Sequence, residues 1–79
     1  MATKKIYTVI RSTIRSEREV SGTLDELTEY FSYTLEIGNS RDSRISRKPK
    51  TIKSLINAIN KSFSISGRYY DCVTLKEVK

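Results

Sequence analysis

Ile52, Leu55, Ile56, Ile59 and Phe63 recur at i, i+3, i+4, i+7 and i+11, and no other feature constrains the fold of this chain more. That spacing gathers the side chains into one stripe of an amphipathic α-helix. The stripe must be covered by other elements of the chain. Thr51 stands at the N-cap position of the helix. Pro49 keeps Lys48 extended and stops a helix from running through from the preceding segment. The polar face carries Lys53, Ser54, Asn57, Asn60 and Lys61.

A second helix is expected over residues 24–37. Thr23 and Glu26 have the spacing of a capping box, and Asp25 and Glu26 suit the positive end of the helix dipole. Leu24, Leu27, Phe31 and Leu35 form its apolar stripe, while Gly38 and Asn39 are natural terminators. Two strands flank the helices. IYTVIRSTIR, from Ile6, is rich in β-branched and aromatic residues. Ile6, Thr8, Ile10, Ser12 and Ile14 make its more apolar face. Tyr7, Val9, Arg11, Thr13 and Arg15 make a mixed one. YYDCVTLKEV, residues 69–78, reads as the last strand. SEREVSG, residues 16–22, extends the first strand, forms a loop, or pairs back as a hairpin. The expected architecture is α+β: a small β-α-α-β domain with a two- or three-stranded antiparallel sheet packed on two helices. Residues 1–5 are expected to fray.

Seventy-nine residues make one domain, 1–79, with a limited core. With one cysteine, Cys72, no intrachain disulfide can add support, and without histidine no metal-ligand spacing exists. A two-stranded sheet is marginal in water. Both arguments predict self-association as a homo-oligomer. The single thiol and the absence of a signal-like start fit the cytoplasm. No segment approaches the roughly 20 apolar residues of a membrane span.

Net charge is +6, but it is concentrated. RDSRISRKPKTIK, residues 41–53, holds six bases and one acid, a sum of +5; the remaining residues sum to only +1. A local patch implies a local ligand or partner. Arg41, Arg44 and Arg47 offer forks suited to phosphate oxygens, and Lys48, Lys50 and Lys53 offer point charges. Thr51 and the start of the helix add a hydroxyl and backbone N–H groups. The expected phosphate-binding site is therefore Arg41, Arg44, Arg47, Lys48, Lys50, Thr51 and Lys53. The plain alternative is a solvated loop that keeps the protein soluble; at about thirteen residues, Gly38 to Lys50, it is long for so small a domain. Tyr33 and Tyr69 are candidates for stacking on a base. Tyr69 and Tyr70 point to opposite faces of their strand, so one of them is expected in the core.

Catalysis has no foothold, since the commonest general base is missing. Cys72 reads as a small buried hydrophobe in a strand, not a nucleophile. Asp25, Glu26 and Glu29 read as an acidic solvated face more readily than a cation site. No glycine-rich phosphate loop is present. An enzyme is not expected, nor a cofactor.

At GTLDELTEYFSYTLEIGNS and PKTIKSLINAINKS the chain resembles small accessory proteins of tailed bacteriophages, of the early or counter-defence type. The resemblance implies a non-enzymatic protein that binds and blocks something of the host. Three readings follow. The first is capture of a phosphate-bearing ligand, such as a cyclic or modified nucleotide signal, in an oligomer that supplies extra walls. The second is direct binding of nucleic acid through the 41–53 patch. The third is inhibition of a host enzyme by docking the patch on an acidic protein surface.

Overall fold

Antiparallel pairing organises the chain into a three-stranded sheet with three helices on one face. The computed structural model describes residues 5–79, so the expected fraying of residues 1–5 falls, apart from Lys5, outside the described residues. In chain order the elements are β1 (Tyr7–Ser12), β2 (Glu17–Gly22), α1 (Leu24–Tyr30), α2 (Ser32–Arg41), α3 (Ile52–Ile65) and β3 (Cys72–Val78). The strand order is β2-β1-β3, with β1 antiparallel to both neighbours. The architecture is the expected α+β one, with the third strand supplied by the hairpin.

The hairpin closes through side-chain chemistry. Thr13 N–H donates to the Ser16 carbonyl at 2.8 Å. The Thr13 hydroxyl accepts from the N–H groups of Arg15 and Ser16 at 3.3 and 3.2 Å. A threonine thus bends the chain in the way a serine or threonine side chain can, mimicking a backbone turn.

The helix-facing side of β1 is the mixed one, not the more apolar one. Val9 is fully buried, and Tyr7 and Val20 pack against the same core. Arg11 lies with its guanidinium carbon 5.6 Å from the Phe63 ring centroid, so its stem counts as core and its charge meets an aromatic face. Ile6 and Ile14, at the ends of the apolar face, are exposed. The uncovered face is held by polar contacts: Thr8 and Ser21 share a hydrogen bond of 2.8 Å, and Lys76 pairs with Glu19 across β1. The ladder skips Lys76 between the pairs Thr8↔Glu77 and Val9↔Leu75, a bulge in β3. Cys72 pairs with Ser12 on the uncovered face and is exposed, not buried as expected. With the hairpin the sheet has three strands, not the two on which the marginal-sheet argument for self-association rests.

The expected single helix over 24–37 is two helices broken at Phe31, whose backbone (φ −97°, ψ 13°) leaves helical geometry. The break lets α1 lie over β2 while α2 packs on α3. Leu27, Phe31 and Leu35 nevertheless all stay in the core. Both atoms of the capping box form: Glu26 Oε1 accepts from Thr23 N–H at 2.9 Å, and Thr23 Oγ1 accepts from Glu26 N–H at 3.2 Å. Gly38 does not end the helix. It is buried inside α2, where an added Cβ would lie 1.9 Å from Ser62 Oγ and 2.7 Å from Ser62 Cβ. Its role is to let α2 and α3 approach.

The α3 stripe packs as its spacing predicts, with Leu55, Ile59 and Phe63 buried. The helix ends in a Schellman closure. Arg68 N–H donates to the Phe63 carbonyl at 2.7 Å and Gly67 N–H to Ser64 at 3.2 Å, with Gly67 at φ 84°. The turn that follows carries Tyr69 and Tyr70, and β3 starts only at Cys72. Both tyrosines are exposed, so neither enters the core.

Asn60 of α3 reaches the edge of β3. Its Nδ2 donates to the Val73 carbonyl at 2.9 Å and its Oδ1 accepts from Val73 N–H at 2.7 Å. The side-chain amide stands in for a neighbouring strand at a residue that is wholly buried. Asn60→Ala is expected to strand both backbone groups and lower stability by about 1–3 kcal/mol, read as a fall of several degrees in thermal unfolding. An unchanged melting temperature would mean the clamp contributes nothing.

Candidate anion-binding face

The basic stretch begins inside α2 and ends inside α3, so only residues 42–51 form the connection. This connection is pinned. Ile45 and Pro49 are buried. Asn39 Nδ2 donates to the Ile45 carbonyl at 2.7 Å, and the Asp42 carboxylate accepts from Arg44 N–H at 3.0 Å. Its length is taken up by these anchors, and its cations are held on a fixed backbone.

Three hollows run side by side along this surface. The first, about 390 Å³, lies between α1 and the connection, with Asp25, Thr28 and Glu29 facing Arg47, Lys48 and Pro49. The second, about 320 Å³, is bounded by Arg44, Ser46, Pro49, Ser54, Asn57 and Lys61. The third, about 400 Å³, is an apolar groove between α3 and β3, with Ile52, Ile56, Val73 and Leu75 at its base and Lys53 and Asn57 on its wall. Pro49 is common to the first two hollows and Asn57 to the last two. The cations Arg47, Lys48, Arg44, Lys61 and Lys53 therefore follow one continuous track.

Several expected ligand groups are already engaged. Arg44 places Nε and Nη2 on the two Asp42 oxygens at 3.0 and 2.9 Å. Lys61 adds a 3.5 Å contact to the same carboxylate. The Arg44 side chain and backbone N–H, with Lys61 behind them, hold the Asp42 carboxyl far below the usual carboxylate range. Arg47 Nε donates to Asn39 Oδ1 at 3.1 Å. Thr51 is the α3 N-cap: its hydroxyl accepts from Ser54 N–H at 3.1 Å and donates to Ser54 Oγ at 2.9 Å. Lys48, Lys50 and Lys53 are exposed, and the described residues provide no ion pair for them.

Arg41 stands apart from the track. It lines a fourth hollow with Tyr33. Tyr69 projects from the turn before β3. Lys61 escaped the sequence reading of the site, although Ser54, Asn57 and Lys61 lie at i, i+3 and i+7 and so share one side of α3. Arg68 escaped too; its place is set by the Gly67 closure, which only the folded helix end defines.

Asp42 is thus a built-in competitor for the track. A carboxylate whose folded pKa is depressed contributes stability above its unfolded value, about 3.9, and loses it as pH falls toward the folded value. The Tm difference between wild type and Asp42→Asn should stay constant from neutral pH to about pH 5 and shrink below about pH 4. A difference that vanishes already near neutral pH would contradict this pairing. The same substitution keeps an acceptor for Arg44 N–H but frees the arginine fork, so polyanion affinity should rise several-fold.

The chain matches no protein-family model, no curated protein and no solved structure. Among the described residues no helix is long and apolar enough to cross a membrane.

Proposed function

We propose that the chain is a non-enzymatic, phage-type binding protein that captures a phosphate-bearing ligand and so counters a host system. The observation that carries this reading is the continuous track of Arg47, Lys48, Arg44, Lys61 and Lys53 through three adjoining hollows. Charges spaced along an open path match phosphates spaced along a strand. The track therefore favours a nucleic-acid strand as the ligand. A closed nucleotide signal would need walls that one copy lacks, and a homo-oligomer would have to supply them. The apolar floor of the third hollow suits the flat face of a base better than a duplex backbone, which points to a single strand.

The test is a titration of a labelled single strand of about 12 nucleotides, followed by fluorescence anisotropy. Saturable binding that displaces with unlabelled strand supports the reading. No binding at about 50 mM salt, where such contacts are strong, would overturn it and leave the basic face to an acidic protein surface.

A further inference from the structure

The fourth hollow, about 190 Å³, is walled by Tyr33, Thr34 and Arg41 of α2 and by Phe63, Ser66 and Arg68 at the end of α3. It contains no carboxylate. Arg41 and Arg68 come from different elements and are exposed, and the described residues provide no ion pair for either. Arg68 is held there by its N–H bond to the Phe63 carbonyl. Phe63 also meets Arg11, whose guanidinium carbon is 5.6 Å from the ring centroid and whose Nε is buried without a hydrogen-bond partner. Arg41 and Arg68 thus line one hollow whose lining holds no acid to neutralise them. Like charges so arranged repel one another, and an anion relieves that repulsion. Tyr33, 72% exposed, stands beside them with nothing covering its ring.

From this arrangement we propose a second site that takes a nucleoside phosphate: the phosphate between Arg41 and Arg68, the base on the face of Tyr33. The volume accommodates a phosphate and part of a sugar, which leaves the base on the outer ring of Tyr33. Arginine forks bind phosphate oxygens bidentately, and an aromatic face stacks on any base. Arg41 lies in the last turn of α2, whose carbonyls carry a partial negative charge of about half a unit; two full arginine charges outweigh it. Ser66 does not serve as a donor, because its hydroxyl is spent on the Ser62 and Phe63 carbonyls at 2.8 and 3.2 Å. The Thr34 hydroxyl is the neutral donor on this wall. The site shares no residue with the track and does not rest on the track's reading.

Two sources carry this chemistry, a free mononucleotide and the phosphorylated end of a strand. The experiment is calorimetric titration of the purified protein with AMP, adenosine, inorganic phosphate and a 5′-phosphorylated dinucleotide. AMP should saturate at one per chain, with adenosine and phosphate each at least about tenfold weaker. Tyr33→Ala and Arg68→Gln should each weaken AMP about tenfold at an unchanged melting temperature, since both side chains are exposed. Lys53→Gln with Lys61→Gln should leave AMP binding as it is. Tighter binding of the dinucleotide than of AMP identifies a strand end, and the reverse identifies a free nucleotide; either supports the site. AMP binding that is absent, or that survives both Tyr33→Ala and Arg68→Gln, would overturn it.

Discussion

Gly38→Ala is expected to lower the melting temperature by about 10 °C. An alanine Cβ at position 38 would meet Ser62 Oγ at 1.9 Å and Ser62 Cβ at 2.7 Å. The hydroxyl can rotate away, but the Cβ is fixed to the α3 backbone, so α2 and α3 must separate. Overpacking of this kind costs about 1–3 kcal/mol, and the contact with a backbone-fixed atom puts it near the top of the range. Alanine in place of glycine returns about 1 kcal/mol of helix propensity. The net loss is about 2 kcal/mol, and a domain of this size loses some 4–8 °C per kcal/mol. Ser62→Gly on the Gly38→Ala background removes both clashing atoms and exchanges the propensity terms, so the double variant should melt near wild type. A single variant that melts at or above the wild-type temperature would show that the helices are not in this contact.

The second large effect concerns the track. Lys53→Gln combined with Lys61→Gln should weaken single-strand binding about 25-fold at 0.1 M salt, because each lost phosphate contact on a single strand removes about 0.7 from the salt slope. Both side chains are exposed, and folding should persist. Asp42→Asn should act in the opposite direction. Opposite signs from the two changes, on one ligand, separate a track of phosphate contacts from a general effect of net charge on solubility. Equal affinity for wild type and the double lysine variant would remove Lys53 and Lys61 from the interface.

The elements whose burial follows a simple period were legible in the chain. The α3 stripe, the Thr23–Glu26 capping box and the Thr51 cap all fold as their spacing implies. The points left open and the misreadings have local causes. The hairpin tip at Thr13–Ser16 contains no Gly, Asn or Asp, and its turn rests on a threonine hydroxyl, so the usual turn signal is missing. Gly38 looks like a helix end, yet its glycine is required by a neighbour 24 residues away, Ser62. The inward face of β1 is not the more apolar one because Arg11, polar by composition, packs on Phe63 by its stem and charge. Cys72 and the two tyrosines before it were misplaced for a related reason: β3 begins later than its aromatic content suggests, and its outer face is open.

The candidate site was legible as charge and illegible as geometry. Clustering in sequence put Arg41 to Lys53 together, but the helix ends flanking the connection send Arg41 to one side and Arg44, Arg47, Lys48 and Lys53 to the other. Lys61 joins them through helix periodicity across a gap in sequence. Asp42 lies within the basic run, and its pairing with both Arg44 and Lys61 shows only after folding. What the sequence presents as one anion site is therefore an extended face with its own internal competitor.

The most direct measurement is the salt dependence of single-strand affinity. Five track cations in contact with phosphates give a slope of log affinity against log salt near −3.5, or a loss on the order of 100-fold between 50 and 200 mM. A slope close to that value, falling to about −2 in the Lys53→Gln, Lys61→Gln variant, is the predicted result. A slope near zero, with binding retained at high salt, would contradict the account.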